Sequence, residues 1–181
     1  SIGLKRNIGI HLASGEFIAH FDDDDLYAPV YLSSMVGMLS DSKDGAQAIT
    51  LSSWFIFTMR NHTWQFCDPI AWGLTQGFDE NAQEVRTWSY GYGFSYVFRR
   101  KMALDNSYDD INLGEDFAFL SMLQTRRGQR SVLLFHDDFG ICLHVQHGGN
   151  TSNSIPLREV DHQEALDLDV MELAPVFSAK P

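Results

Sequence analysis

The feature that most constrains this chain is an apolar run that ends directly in four consecutive aspartates, Asp22 to Asp25. Residues 17–21 carry aromatic and β-branched side chains and predict a short buried strand, and a helical pattern follows the acids. Four adjacent carboxylates repel one another by about 1 kcal/mol per close pair even in water. The run therefore predicts a divalent cation held by oxygen ligands, of the kind often shared with substrate phosphates. A solvated acidic turn is the alternative.

Composition and charge exclude several classes of protein. The 181 residues are 44% hydrophobic, which suits one globular domain with a core. A net charge of -11 argues against binding nucleic acid or an anionic membrane through bulk electrostatics. The two cysteines, Cys67 and Cys142, make neither a disulfide framework nor a zinc site of cysteines. No apolar run approaches the roughly 20 residues of a membrane span.

Amphipathic patterns on both sides of the acids predict two helices. Before the acids, Leu4, Ile8 and Leu12 recur at helical spacing and predict a helix over residues 4–14. Its basic pair, Lys5 and Arg6, either faces solvent or reaches the phosphates of a ligand at the sheet edge. After the acids, a second helix is predicted from the inward residues Leu32, Met35, Val36 and Leu39.

The middle of the chain predicts strands, an irregular connection and an aromatic segment. Residues 48–59 have the composition of one or two strands, and residues 61–86 show no clear pattern. Rings then occupy every second position from Trp88 to Phe98, which predicts an extended segment with six rings on one face. That face is either core or a platform on which a sugar or base stacks.

The last third predicts a helix, two strands and a tail. The helix opens at Gly114 and places Phe117, Leu120 and Leu123 inward. Residues 131–135 and 141–145 predict short strands, separated by an acidic, glycine-containing turn, and residues 147–152 predict a glycine-rich turn. Residues 153–181 are acidic and predict a weakly structured tail.

The order of these features resembles the central part of family 2 glycosyltransferases with the GT-A fold. The resemblance covers residues 3–152 and rests on four separated groups of residues in the order that this family has. They are Lys5-Arg6-Asn7 with residues 13–18 and the acids 21–25, the glycine-containing residues 91–100, Gly114-Glu115-Asp116, and the histidine region 147–152.

The resemblance implies a fold and a domain division. It implies an α/β, GT-A-like three-layer α/β/α sandwich with a mostly parallel central sheet. Residues 1–152 would be the C-terminal two thirds of such a domain, and the first β/α units of the family, which hold the nucleotide base, would precede Ser1. The chain would therefore be N-terminally truncated and possess only part of the nucleotide site.

The resemblance also implies a metal site and a donor site. Asp22, Asp24 and His147 would bind Mn²⁺ or Mg²⁺, with His144 as the reserve for His147 and Asp25 supporting the ligands. The donor would be a nucleotide sugar. Its proposed contacts are Arg6, Asp22, Asp23, Trp88 and Tyr92, of which Arg6 would face the diphosphate and the two rings would stack on a sugar.

The catalytic residues that the resemblance implies are Asp116 and Glu115. Asp116 would act as the base that takes the proton of an acceptor hydroxyl on a glycan, lipid or protein, with inversion at the anomeric carbon. The compartment stays open between cytoplasmic and membrane-associated, the latter through a part of a longer chain.

Two other classes of function remain possible from the residues. A strand that ends in Asp-x-Asp also resembles haloacid-dehalogenase-type phosphohydrolases, but Leu26 stands where that family has Thr or Val. A sugar- or partner-binding fragment without catalysis is the other alternative.

Overall fold

The computed structural model describes residues 1–79, 83–150 and 154–173. Its helices are α1 (Ile2–Leu12), α2 (Tyr31–Ser40), α3 (Pro69–Thr75), α4 (Gln83–Thr87), α5 (Arg100–Asp105), α6 (Glu115–Arg127) and α7 (His162–Leu166). Its strands are β1 (Phe17–Ala19), β2 (Leu26–Tyr27), β3 (Ala48–Leu51), β4 (Trp54–Thr58), β5 (Thr63–Cys67), β6 (Val97–Arg99), β7 (Val132–Phe135), β8 (Cys142–Gln146) and β9 (Arg158–Val160). None of the described helices combines the length and the hydropathy needed to cross a membrane.

The first sheet has the order β1-β6-β3-β7 and lies between two layers of helices. Alternate residues of each strand face opposite sides, as in any strand. Ile49, Leu51 and Val97 pack in one core with α2, whereas Ala48 and Phe98 pack in a second core with α1, α5 and α6. These layers confirm the predicted α/β/α arrangement.

The second sheet, with the order β2-β8-β4-β5-β9, shares the core of α2. The prediction was a mostly parallel sheet, but both sheets are mixed. Among the described strands only the pairs β3–β7 and β4–β8 are parallel, and the other five pairs are antiparallel. The physical reason is that β6 runs between β1 and β3 in the opposite direction, and β5 returns beside β4 after a short turn.

Both predicted helices beside the acids are confirmed, but the residues of their apolar patterns are not all buried. In α2, Tyr31, Met35 and Leu39 are buried, whereas Leu32, predicted to face inward, is 45% exposed. In α1, the residues of the apolar pattern are 46%, 50% and 81% exposed, namely Leu4, Ile8 and Leu12. The reason is polar: the Asn7 amide donates to the Tyr108 carbonyl and accepts from its N–H, both at 2.8 Å. These bonds orient α1 so that Asn7 and Arg6, not the leucines, point into the molecule.

The aromatic segment is not the single extended strand that its period of two predicted. Residues 88–91 and 93–95 form two 3-10 turns, and only Val97–Arg99 is a strand. The buried Ser95 hydroxyl accepts from the Leu51 N–H at 3.1 Å and holds this bend against β3. The rings consequently separate: Tyr90, Tyr96 and Phe98 enter the helix-side core, Tyr92 and Phe94 pack beside Trp54, and Trp88 lies against α3.

Two regions predicted to be irregular contain regular structure. Residues 61–79 include β5 and α3, whose first turn is capped by Asp68, which accepts from the Ala71 N–H at 2.8 Å. The predicted weak tail contains β9 and α7 within residues 154–173, because Val160, Ala165 and Leu168 are buried in the core of α2. Residues 80–82, 151–153 and 174–181 lie outside the described residues, and the division at residue 152 stays a prediction.

Candidate active site

The acidic run forms a turn between β1 and β2, and Tyr27 fixes its shape. The Tyr27 hydroxyl accepts from the Asp22 N–H at 3.0 Å and donates to the Phe94 carbonyl at 2.9 Å. The Tyr27 hydroxyl therefore joins the start of the acidic turn to the 3-10 turn of residues 93–95. The predicted strand ahead of the acids is confirmed, although β1 has only three residues.

Asp25 points inward, and one of its oxygens has no partner. The residue is 8% exposed, and its Oδ1 lies 2.9 Å from His144 Nδ1 and accepts from the Val145 N–H at 2.9 Å. Its Oδ2 is buried and has no hydrogen-bond partner among the described residues. A buried carboxylate oxygen without a partner is costly, so this atom points to a cation.

Asp24 lies at the edge of the same group and contacts the turn after β8. Its Oδ2 is 2.9 Å from His147 Nε2 and 3.3 Å from Asn150 Nδ2. The Gly149 N–H donates to His147 Nδ1 at 3.0 Å, so Nε2 is the ring atom that carries the proton towards Asp24. His147 therefore holds Asp24 in place in this arrangement.

The three acids fit a hard divalent cation. Asp22, Asp24 and Asp25 each offer an oxygen, and these oxygens all lie within 4.8 Å of one another. Burial, and then the nearby charge of Asp25, raise the pKa of Asp22 above its usual value. A bound Mn²⁺ or Mg²⁺, which prefers oxygen ligands, would reduce the repulsion among the three carboxylates and give the Asp25 oxygen a partner.

Arg6 and Glu115 form a largely buried ion pair near the acids. Arg6 Nη1 lies 2.7 Å from Glu115 Oε1, and Glu115 is 4% exposed. The guanidinium also covers the Tyr108 ring at 5.4 Å. The Arg6 guanidinium is thus fixed between the Glu115 carboxylate and the Tyr108 ring, and its positive charge is paired with the negative charge of Glu115.

Asp116 is positioned by a close approach of Gly93. Asp116 Oδ2 accepts from the Gly93 N–H at 3.1 Å. A Cβ on residue 93 would lie 2.7 Å from Arg6 Nη2 and 3.1 Å from the Cβ of Asp116, so a side chain there would displace the Arg6 guanidinium. The Gly93 carbonyl in turn lies 3.1 Å from Nδ1 of the partly buried His20. Because burial lowers the pKa of His20 to about 3, this ring is neutral and adds no charge to the site.

A cavity of about 370 Å³ lies among these residues. The predicted site residues that line it are Arg6, Asp22, Asp23, Asp24, Tyr92, Glu115 and Asp116. Trp88 is not among them, since its ring packs on Trp72 and Phe78. His147 does not line the cavity and contacts it through Asp24, Gly149 and Asn150, whereas His144, the predicted reserve for His147, lines it.

Sequence reasoning missed two residues of this cavity wall, Gly93 and Asn150. It named Asp25 only as a support for the ligands, whereas Asp25 itself offers an oxygen beside Asp22 and Asp24. The glycine-rich turn around Asn150 was a signal for that residue. Nothing in the sequence indicates which way the Asp25 carboxylate points.

The sequence model described as glycosyl transferase family 2 matches residues 2–106, more than half of the chain. The chain belongs to this family. The search of curated protein sequences found no match. Membership of family 2 argues against the phosphohydrolase alternative, because the residues that suggested it lie inside the matched segment.

Solved structures support the fold of this family 2 chain. A crystal structure of glucosyl-3-phosphoglycerate synthase from Mycobacterium tuberculosis matches with a TM-score of 0.52 at 15% identity, over 83% of this chain and 47% of that one. The same enzyme with Mn²⁺, uridine diphosphate and glucosyl-3-phosphoglycerate matches with a TM-score of 0.51 at 13% identity, over 97% and 53%. The chain thus spans about half the length of these structures. The likeness confirms the GT-A-like α/β fold.

Proposed function

We propose that this chain carries out metal-dependent transfer of a sugar from a nucleotide-sugar donor to a hydroxyl group, with inversion at the anomeric carbon. The observation that carries the proposal is the placement of two acid sites on one cavity. The acid turn, with its unpartnered Asp25 oxygen, and Asp116 both border the 370 Å³ space. Metal-held diphosphate and a base for the acceptor need this arrangement.

The acid turn would hold the metal. Asp22, Asp24 and Asp25 supply the oxygens, with His147 and Asn150 orienting Asp24. When bound, Mn²⁺ or Mg²⁺ supplies positive charge that stabilises a departing diphosphate. The choice of metal follows the Mn²⁺ of the similar synthase structures. Asp23, which is exposed on the cavity wall, and Tyr92 would contact the donor.

Asp116 would act as the base, and Glu115 would act on it indirectly. The Gly93 N–H holds Asp116 Oδ2, which fixes the carboxylate against the cavity. Asp116 would take the proton of the acceptor hydroxyl as that oxygen attacks the anomeric carbon from the face opposite the diphosphate, which gives inversion. Glu115 pairs with Arg6 and keeps the guanidinium beside the donor space. Trp88 has no part in this proposal, because its ring packs on α3.

The test measures transfer by the full natural protein that carries this sequence. UDP-, GDP- and CMP-sugars are screened with and without Mn²⁺, and Asp24→Ala and Asp116→Asn are compared with Asp138→Asn, an exposed acid of another turn. We expect metal-dependent turnover that falls at least about 100-fold in the first two variants and is unchanged in the third. The absence of turnover with every donor would favour the sugar- or partner-binding alternative.

A separate measurement keeps the metal site testable without turnover. Mn²⁺ binding to the chain is followed by electron paramagnetic resonance. We expect Asp24→Ala to lose binding and Asp116→Asn to retain it. Equal loss in both variants would contradict the separation of metal site and base.

A further inference from the structure

A second cavity, of about 410 Å³, opens on one face of the second sheet. In the strand register Phe57 lies opposite Val145 and Trp64, so these side chains share a face of β8, β4 and β5. We call this cavity the apolar groove. Besides Asp24 it is lined by Leu26, Phe57, Met59, Trp64, Leu143, Val145, Val170 and Met171. Its volume falls within the usual range of small-molecule sites.

The chemistry of the apolar groove selects an apolar ligand. All eight of its lining residues other than Asp24 are apolar, and none of them is basic. A phosphate would find no cation there, and a sugar would find few groups to replace its hydrogen bonds to water. Met59 is 54% exposed, so apolar surface lies open to solvent in the described part of the chain. Covering such surface is favourable.

Asp24 lies between the apolar groove and the candidate active site. It lines both cavities and belongs to the group of three acids. A molecule in the apolar groove therefore has an acid beside it at one point and only apolar side chains elsewhere. A nucleotide sugar has no apolar part of this kind, whereas an amphiphile with a hydroxyl at one end has both.

We propose that the apolar groove binds the apolar part of an amphiphilic acceptor, whose hydroxyl end enters the cavity of Asp116. The acceptor role rests on the proposed function. The binding of an alkyl group does not rest on it and is measured separately. The proposal commits the acceptor to an alkyl-bearing molecule rather than a free sugar or a phosphorylated small molecule.

The binding test uses methyl, hexyl and octyl β-glucosides below their micelle concentrations. The chain is labelled with ¹³C at its methionine methyl groups and observed by NMR. We expect the octyl compound to shift the signals of Met59 and Met171, which line the apolar groove, and not those of the core residues Met35 and Met102. Affinity should rise about fourfold for each CH₂ that is buried. Equal affinity of all three glucosides would overturn the proposal.

Two variants test the location and the competing occupant. Met59→Gln should weaken octyl glucoside binding about tenfold, and Leu12→Gln, at an exposed position of α1 outside the groove, should leave it unchanged. A chain that ends at Leu173 tests residues 174–181 as an occupant, with the Met35 and Met102 signals as the check on folding. Unchanged affinity supports the proposal, and binding at least tenfold tighter would overturn it in favour of the chain's own tail.

The transfer test separates this inference from the proposed function. With a nucleotide sugar that the enzyme accepts, kcat/KM should rise with the alkyl length of the acceptor, and Met59→Gln should remove that rise with little change for the methyl glucoside. Turnover that is independent of alkyl length would overturn the inference and leave the proposed function standing. Alkyl binding in the groove without transfer to any acceptor would overturn the acceptor role together with the proposed function.

Discussion

Two acidic turns in this protein have similar sequences and opposite uses of their carboxylates. The first follows β1 and reads Ala-His-Phe followed by the acids Asp22 to Asp25, and the second follows β7 and reads Phe-His followed by Asp137 and Asp138. Asp137 is fully buried, and its two oxygens together accept four backbone N–H groups, from Phe139, Gly140, Ile141 and Cys142. In the first turn, Asp25 keeps one buried oxygen without a described partner.

The difference teaches that backbone donors, rather than the acids themselves, distinguish a structural turn from a ligand site. Where N–H groups converge on a carboxylate, its charge is balanced by the fold, although burial still raises the pKa of Asp137. Where they do not, the charge is left for something that the fold does not supply. The following predictions test this distinction, from the largest expected effect to the smallest.

Asp137→Ala should have the largest effect on stability. The variant leaves four backbone N–H groups without their acceptor, and three of these N–H groups are in buried hydrogen bonds. We expect the free energy of unfolding to fall by about 3 kcal/mol or more. Urea denaturation measures this, and a loss below about 1 kcal/mol would show that the two turns do not differ as described.

Asp24→Ala should change metal binding strongly and stability little. Asp24 is partly exposed, and its Oδ2 contacts the side chains of His147 and Asn150 rather than backbone groups. We expect Mn²⁺ affinity to fall at least about 100-fold, with the unfolding free energy of the metal-free protein changed by no more than about 0.5 kcal/mol. Calorimetric titration with Mn²⁺ measures the affinity. Asp137→Ala, studied where it is folded, should bind Mn²⁺ with the affinity of the wild type.

Tyr27→Phe should affect both properties of the first turn moderately. The variant keeps the ring and removes the hydroxyl that joins the Asp22 N–H to the Phe94 carbonyl. We expect a loss of about 1–2 kcal/mol in the free energy of unfolding and weaker Mn²⁺ binding. Tyr31→Phe is the matched control, since its buried hydroxyl has no partner among the described residues. Equal destabilisation by both variants would contradict the role given to Tyr27.

Asp22→Asn should slightly stabilise the metal-free protein. Because the folded-state pKa of Asp22 is raised, its contribution to stability is greatest at low pH, where it is protonated, and is lost as pH rises from its usual value through the raised one. At pH 7 we therefore expect the variant to melt about 1–2 °C higher. Thermal scans at pH 7 and pH 3 check the sign, since the difference should vanish at pH 3. With Mn²⁺ present, wild type should gain more than the variant.

Local pattern determined much of the fold and part of the site. The strand before the acids, the helix α2 and the helix at residues 115–127 follow from local periodicity. In the last of these Leu120 and Leu123 are buried as predicted, whereas Phe117, also predicted to face inward, is 42% exposed. The order of the acid motifs also indicated family 2. The cap and proline at Asp68 and Pro69 predict the start of α3, a signal that the sequence analysis overlooked.

Contacts between distant residues decided the rest. The face that α1 turns inward is set by Asn7 bonding Tyr108, about a hundred positions away in the chain, and the bend that parts the rings of residues 88–98 is held by Ser95 against β3. Whether a carboxylate is satisfied depends on how the backbone around it is folded. The N–H groups that Asp137 accepts come from its own turn, whereas Asp25 Oδ1 is met by His144 and Val145 of β8. The sequence by itself therefore determined that acid stands at a strand end, and only the tertiary structure decided that Asp137 is satisfied by backbone while Asp25 keeps an oxygen open.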